Sequence, residues 1–171
     1  MHTADDRAIW RGVVAGVAGG AVAAWTMTQF QGAMTRMLER RDGHGQQSRQ
    51  DGEPEPATEK AAAALTEPVI ERKLTHGEKK QAGPIVHYAF GSAIGAAYGA
   101  TAEAAPVAAA GRGLLFGSAL WFGADEVAVP ALGLSKPPLD YPPSTHLNAL
   151  AAHLVYGLTA DTVRRLVRWV M

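Results

Sequence analysis

An all-α membrane protein with four spanning helices is the fold class that the sequence predicts. Of the 32 charged residues, 18 fall within residues 36–81, so charge is spread very unevenly. Outside that region, four stretches of at least 20 residues carry few charged residues or none, and about 20 apolar residues span a bilayer. A helix made from such a stretch lacks the charged face that a helix of a soluble bundle turns towards water.

The overall composition narrows the class of protein further. With 171 residues, the chain is predicted to form a single membrane domain over residues 1–171. The 16 basic and 16 acidic residues cancel, so no nucleic-acid partner is expected. The absence of cysteine excludes disulfides and thiolate metal sites. The expected partners are the lipid bilayer and either a second copy of the chain or another membrane protein.

The first two predicted helices follow directly from uncharged runs. Residues 12–35 contain no charged side chain in 24 residues, which is too long an apolar run for a signal peptide. Residues 82–102 contain none in 21, apart from His87. We therefore predict spanning helices at about residues 9–36 and 84–103.

The third and fourth predicted helices are less regular. Residues 113–134 are apolar except for Asp125 and Glu126 in their middle. Residues 141–160 are uncharged, but Pro142 and Pro143 near their start are expected to lie outside the helix. We predict helices at about 113–130 and 145–169, and Ser144 or Thr145 is expected to cap the last one.

Residues 37–81 are predicted to form a polar, partly helical first loop. Thr58 is placed to cap one short helix, and Thr66 is placed to begin a second. The segment Thr75–Glu78 has the spacing of a capping box and leads into the second spanning helix. Residues 49–56 are rich in Gln, Asp, Gly, Glu and Pro and are predicted to be the most mobile part.

Small residues recur at every fourth position in the four predicted spanning helices. Positions four apart lie on one helix face, and small-residue faces allow membrane helices to approach closely. An Ala- and Gly-rich sequence also produces such rows by chance. The glycines predicted to mediate helix packing are Gly12, Gly16, Gly20, Gly91, Gly95, Gly99, Gly117 and Gly157.

Six ionisable residues within or beside the apolar segments are candidate site residues. A charge at the bilayer centre costs on the order of 3 kcal/mol, so such groups usually face the protein interior or water and mark function. The alternative is a short third helix with its acidic pair at the end. The predicted proton, ion or polar cluster consists of His87, Glu103, Asp125, Glu126, His153 and Asp161.

Histidine and carboxylate chemistry suggests what these residues do. We predict that Asp125 or Glu126 approaches His153, and also His87, in the centre of the bundle, because groups in a low-dielectric interior need partners. Histidine changes charge near neutral pH. A hydrogen-bonded histidine with a purely structural role is the alternative. No HExxH motif, Glu-x-x-His pair, nucleophile elbow or Walker sequence is present, so no metal, cofactor or catalytic residue is predicted.

Several short motifs resemble one known family. The sequences His87-Tyr-Ala-Phe-Gly91, Phe116-Gly117, Asp125-Glu126 and His153-Leu-Val-Tyr-Gly157 are similar to those of the YagU-like family of bacterial inner-membrane proteins. The resemblance covers roughly residues 10–170. It implies a multi-pass inner-membrane protein linked to acid resistance, and it brings no catalytic residues.

The leading hypothesis is therefore a non-enzymatic inner-membrane protein of acid-stress physiology. It would sense protons, or pass protons or ions, through the intramembrane His/Asp/Glu cluster. A structural or assembly protein, whose polar groups only hold the helices together, is the second hypothesis. A membrane metalloenzyme is the third.

Overall fold

The computed structural model describes residues 2–41 and 55–171, and these residues form helices without any strand. Residues 49–54, most of the segment predicted to be mobile, lie outside the described part. The helices are α1 (His2–Arg41), α2 (Ala57–Ile70), α3 (His76–Ala104), α4 (Leu114–Trp121), α5 (Val129–Ala131) and α6 (Pro143–Val170). A π-helical turn, Phe122–Ala128, joins α4 to α5, and 3-10 helices cover Pro106–Gly113 and Pro138–Asp140.

In the described part of the chain, two helical segments are long and apolar enough to cross a membrane. They are Arg7–Leu38 within α1, and Pro106–Ala131, which runs from the first 3-10 helix to the end of α5. Their most apolar 18-residue windows are 39% and 11% buried inside the protein. Few residues of the second segment are therefore fully buried, although Phe116 and Leu120 pack against the core.

The long helices lie antiparallel to the neighbours that they contact most. Gly12 faces Gly99, whereas Gly20 faces Gly91, so α1 and α3 run in opposite directions. On α6, Gly157 faces Gly113 at the start of α4. Helix α1 also packs on α6, and α2 packs on the first turns of α3.

Glycine allows the closest approaches between these helices. A methyl group added at Gly16 would overlap the carbonyl oxygen of Gly95, and one at Gly20 would overlap that of Gly91. A methyl group at Gly117 would likewise overlap the carbonyl oxygen of His153. The backbones are in contact at these positions, so any side chain there would push the helices apart.

The core between α1, α3 and α6 is built mainly from small residues and a few aromatic ones. Ala23, Ala24 and Ala152 are completely buried, and Tyr156 lies among them. The Tyr156 hydroxyl donates a 2.5 Å hydrogen bond to the Gly91 carbonyl oxygen, which joins α6 to α3.

Three details of the predicted helices require correction. Helix α2 continues through Pro68 as one helix, although two short helices were predicted. Helix α3 begins at His76 because the Thr75–Glu78 capping box forms, so it starts eight residues before the predicted boundary. Helix α6 begins at Pro143, a favoured first helical residue, and neither Ser144 nor Thr145 caps it.

Candidate functional site

A widened helical turn presents Asp125 and Glu126 to α6. In the π-helical turn, the Val129 amide donates to the carbonyl oxygen of Ala124, five residues earlier. Neighbouring residues of an α-helix diverge by about 100°, and they diverge less where more residues share a turn. This geometry explains how two adjacent carboxylates both contact one partner helix, which an ordinary α-helix would hinder.

The first pair is Glu126 and His146. The Glu126 Oε1 atom lies 2.6 Å from His146 Nδ1, in the first turns of α6. The other ring nitrogen, Nε2, lies 3.0 Å from the carbonyl oxygen of Pro138. One imidazole thus connects the π-helical turn, α6 and the segment that precedes α6.

The second pair is Asp125 and His153, two turns further along α6. The His153 Nδ1 atom donates a 2.9 Å hydrogen bond to the carbonyl oxygen of Ala149, because a carbonyl can only accept. The same nitrogen lies 3.6 Å from Asp125 Oδ2, which is too long for a hydrogen bond. Asp125 is therefore beside His153 without receiving its proton, and its side chain is 37% exposed.

Both acids line a cavity of about 280 Å³ at the end of the molecule where α6 begins. The Glu126–His146 pair thus lies near the beginning of α6, whereas Asp125 lies beside the buried His153, two turns further along the helix. The remaining lining residues belong to α2, α5, the connection between α5 and α6, and α6. They are Ala57, Val129, Ser135, Lys136, Pro138, Tyr141, Thr145, His146 and Ala149.

His87 does not join the acids. Its Nε2 atom lies 3.3 Å from the carbonyl oxygen of Ala24, so the imidazole connects α3 to α1. Its ring also makes an edge-to-face contact with Tyr88. These contacts correspond to the structural alternative for a membrane histidine.

Glu103 and Asp161 lie near the other ends of α3 and α6, in a network with three arginines. Asp161 accepts hydrogen bonds from Tyr98 at 2.9 Å, from Arg164 at 2.8 Å and from Arg165 at 2.6 Å. The six predicted cluster residues are therefore divided among three separate places.

Glu103 is the second acid of this network. It accepts two hydrogen bonds from Arg168, at 2.7 and 3.0 Å, and lies 3.5 Å from Arg164. The guanidinium of Arg164 also sits 5.6 Å from the centre of the Tyr98 ring. Every oxygen of both acids faces a cation, an arrangement that holds α3 and α6 together.

The prediction from sequence omitted several residues of these sites. His146 was left out of the candidate set, although it lies seven residues before His153 and so on the same helix face. Arg164 and Arg165 lie three and four residues after Asp161, which is the spacing of helical ion pairs. Tyr98 carried no such signal, because its partner is 63 residues away. Within the described residues, no group of three His, Asp or Glu side chains is placed to hold a metal ion.

A model for a family described as a protein of unknown function, DUF1440, matches residues 51–162, which is 112 of the 171 residues. The chain belongs to the DUF1440 family. The matched region includes both carboxylate–histidine pairs and Asp161, and it ends before Arg164. The DUF1440 description assigns no activity. Comparison with curated proteins and with solved structures finds no match.

Proposed function

We propose that this chain is a multi-pass protein of the bacterial inner membrane, acting in acid-stress physiology by taking up protons at its Asp125–His153 pair and at Glu126 beside His146. In this proposal four helices span the bilayer as a bundle. The observation that carries it is the position of two carboxylates, each beside a histidine, on an apolar segment of which few residues are buried.

The exposure of apolar side chains in the segment Pro106–Ala131 supports the membrane location. Leu115 is 64% exposed and Phe122 is 61% exposed, and both lie in a segment whose most apolar window is 11% buried. In water, each exposed Å² of apolar surface is disfavoured by about 25 cal/mol, so lipid is the natural neighbour of this face. The close glycine contacts between helices also suit a membrane, where small residues take the place of a hydrophobic driving force.

The chemistry of the two pairs supports a response to protons. Imidazole titrates near neutral pH, and ionisable groups within spanning helices commonly mark proton or ion paths. Asp125 has no hydrogen-bond donor among the described residues and lines the cavity. A proton arriving through this cavity would meet Asp125 first and His153 behind it.

For Glu103 and Asp161 the contacts favour the second hypothesis, a structural role. Their oxygens are paired with arginines, and Asp161 is 1% exposed. We therefore assign these two residues to helix assembly and restrict the proposed proton response to the two histidine pairs.

The membrane location is tested by labelling single cysteines, which is straightforward because the chain has none of its own. Leu115→Cys and Leu65→Cys form a matched pair, since these side chains are 64% and 69% exposed in the protein. In intact membranes a water-soluble maleimide should modify Leu65→Cys and leave Leu115→Cys unmodified. Equal labelling of both would contradict the proposed spanning segment.

The proton response is tested by acid survival of bacteria that lack their own copy of the gene and carry variants of this chain. Asp125→Asn should reduce survival at low pH. Asp140→Asn removes the same charge from an exposed position outside the pairs and should behave as wild type. Equal survival of the two variants would contradict a role for Asp125. Proton flux into liposomes containing the purified protein would distinguish passage from sensing.

A further inference from the structure

The His146 imidazole contacts an acceptor at each of its two nitrogens. Nδ1 lies 2.6 Å from the Glu126 carboxylate, and Nε2 lies 3.0 Å from the Pro138 carbonyl oxygen. A carbonyl oxygen has no proton to donate, so Nε2 must carry one. With Glu126 ionised, its carboxylate has none either, and Nδ1 then carries one as well. Beside an ionised Glu126, a neutral imidazole has a single N–H and would leave one of these contacts between two acceptors.

We infer that His146 is held as an imidazolium, and that its two hydrogen bonds form a proton-operated clamp that closes residues 132–142 over the cavity beside Asp125. This inference rests on the proposed function and names the regulation of that site. The residues 132–142 connect α5 to α6 and contain the short Pro138–Asp140 helix. Through Pro138 the imidazolium attaches this connection to the π-helical turn.

The surroundings of the ring specify which charges operate the clamp. Glu126 and Asp125 reach the cavity from the π-helical turn, and Lys136 and Tyr141 reach it from the connection. Helix α2 contributes Ala57, and no described residue of α1 or α3 lines the cavity. Among the described residues, Glu126 is the one group that forms a close ion pair with the imidazolium.

The start of the connection is fixed, because the amides of residues 132–134 donate to carbonyl oxygens of α5 and of the turn before it. Beyond residue 134, the connection meets α6 through His146, which also makes an edge-to-face contact with Tyr141. Lys136 donates its amide to the Tyr141 hydroxyl at 3.3 Å, and the Asp140 amide donates to the Pro137 carbonyl oxygen, so these bonds lie within the connection. Leu139 at its tip is 98% exposed. When His146 loses a proton, or Glu126 gains one, the clamp weakens and the cavity opens towards Asp125.

The protonation state is tested by ¹⁵N NMR of histidine-labelled protein in lipid nanodiscs. At pH 7 both ring nitrogens of His146 should be protonated. In Glu126→Gln, which lacks the carboxylate charge, one of these protons should be lost at the same pH. Asp125→Asn is the matched control, since it neutralises the adjacent acid and leaves both protons in place. A singly protonated His146 in the wild-type protein would overturn the inference.

The movement is tested with a spin label on Leu139→Cys. The label should be more mobile in Glu126→Gln than in the parent at pH 7, and Asp125→Asn should not change it. In the labelled protein that carries Leu139→Cys alone, the mobility of the label should rise over the same pH range in which His146 loses its proton. Unchanged mobility across that range would overturn the clamp, whereas the proposed function would fail separately if Leu115→Cys reacted freely in membranes.

Discussion

Tyr98 donates a 2.9 Å hydrogen bond to Asp161, the largest side chain that is less than 2% exposed in the described part of the protein. Asp161 is an acid at a position where a soluble protein would usually place a large apolar residue. It also pairs with Arg164, whose side chain is 8% exposed. A buried charge with several partners stabilises only while all partners are present.

Asp161→Ala should therefore be strongly destabilising. It leaves the Arg164 charge buried without its closest partner, and breaking a buried pair in this way costs about 3–5 kcal/mol. Thermal unfolding in detergent, followed by circular dichroism, measures the loss. Asp140→Ala removes an exposed acid and should leave stability nearly unchanged; a similar loss in both variants would contradict a special role for Asp161.

Loss of one buried hydroxyl should have a smaller effect. Tyr156→Phe removes the 2.5 Å hydrogen bond to the Gly91 carbonyl and should lower stability by roughly 1 kcal/mol. Tyr88→Phe is the control, because the Tyr88 hydroxyl makes no hydrogen bond among the described residues. The same unfolding measurement applies, and equal stability of the two variants would argue against the Tyr156 contact.

Two glycines of α1 should respond to alanine in opposite directions. At Gly16 the added methyl would overlap the Gly95 carbonyl, and overpacking of this kind costs about 1–3 kcal/mol. At Gly32 the nearest atom would be 3.6 Å away, so alanine should stabilise the helix by up to about 1 kcal/mol. Comparing Gly16→Ala and Gly32→Ala in one unfolding assay tests the close contact, and stabilisation by both would refute it.

The start of α3 should weaken in acid. Two hydrogen bonds from Arg72, followed by those from Thr75, lower the pKa of Glu78 from 4.5 to about 2. A carboxylate whose folded pKa is lowered stabilises fully above its unfolded value, and this contribution disappears as the pH falls from about 4.5 to about 2. Carboxyl ¹³C NMR should give a Glu78 midpoint near 2, and Arg72→Gln should raise it. A wild-type midpoint near 4.5 would contradict the ion pair.

Local signals were sufficient for some elements of the chain. The Thr75–Glu78 capping box was predicted from its spacing, and it forms because all of its donors and acceptors lie within one helical turn. The continuation of α2 through Pro68 was not predicted, since the local sequence Thr66-Glu67-Pro68 also suits a new helix start. Helix α2, as one continuous helix, packs on the first turns of α3.

Partner choice could not be predicted from spacing alone. Asp125 or Glu126 was expected near His153, and Asp125 lies beside it. The different partner of Glu126 depends on the π-helical turn, for which the sequence carries no separate signal. Glu126 reaches His146 because this turn directs it towards the beginning of α6. His87 was expected beside the acids, and its partner is instead the Ala24 carbonyl on α1.

The sequence by itself determined the helical class and two of the four predicted spanning segments, because hydrophobic periodicity and the absence of charge are properties of neighbouring residues. It also determined where the glycines lie that allow close contact between helices. The tertiary structure alone decided that Asp161 pairs with Tyr98 and that His146 has acceptors on both sides of its ring. These contacts join residues 63, 20 and 8 positions apart, and such distances are set by how helices pack and connections fold, which no local pattern encodes.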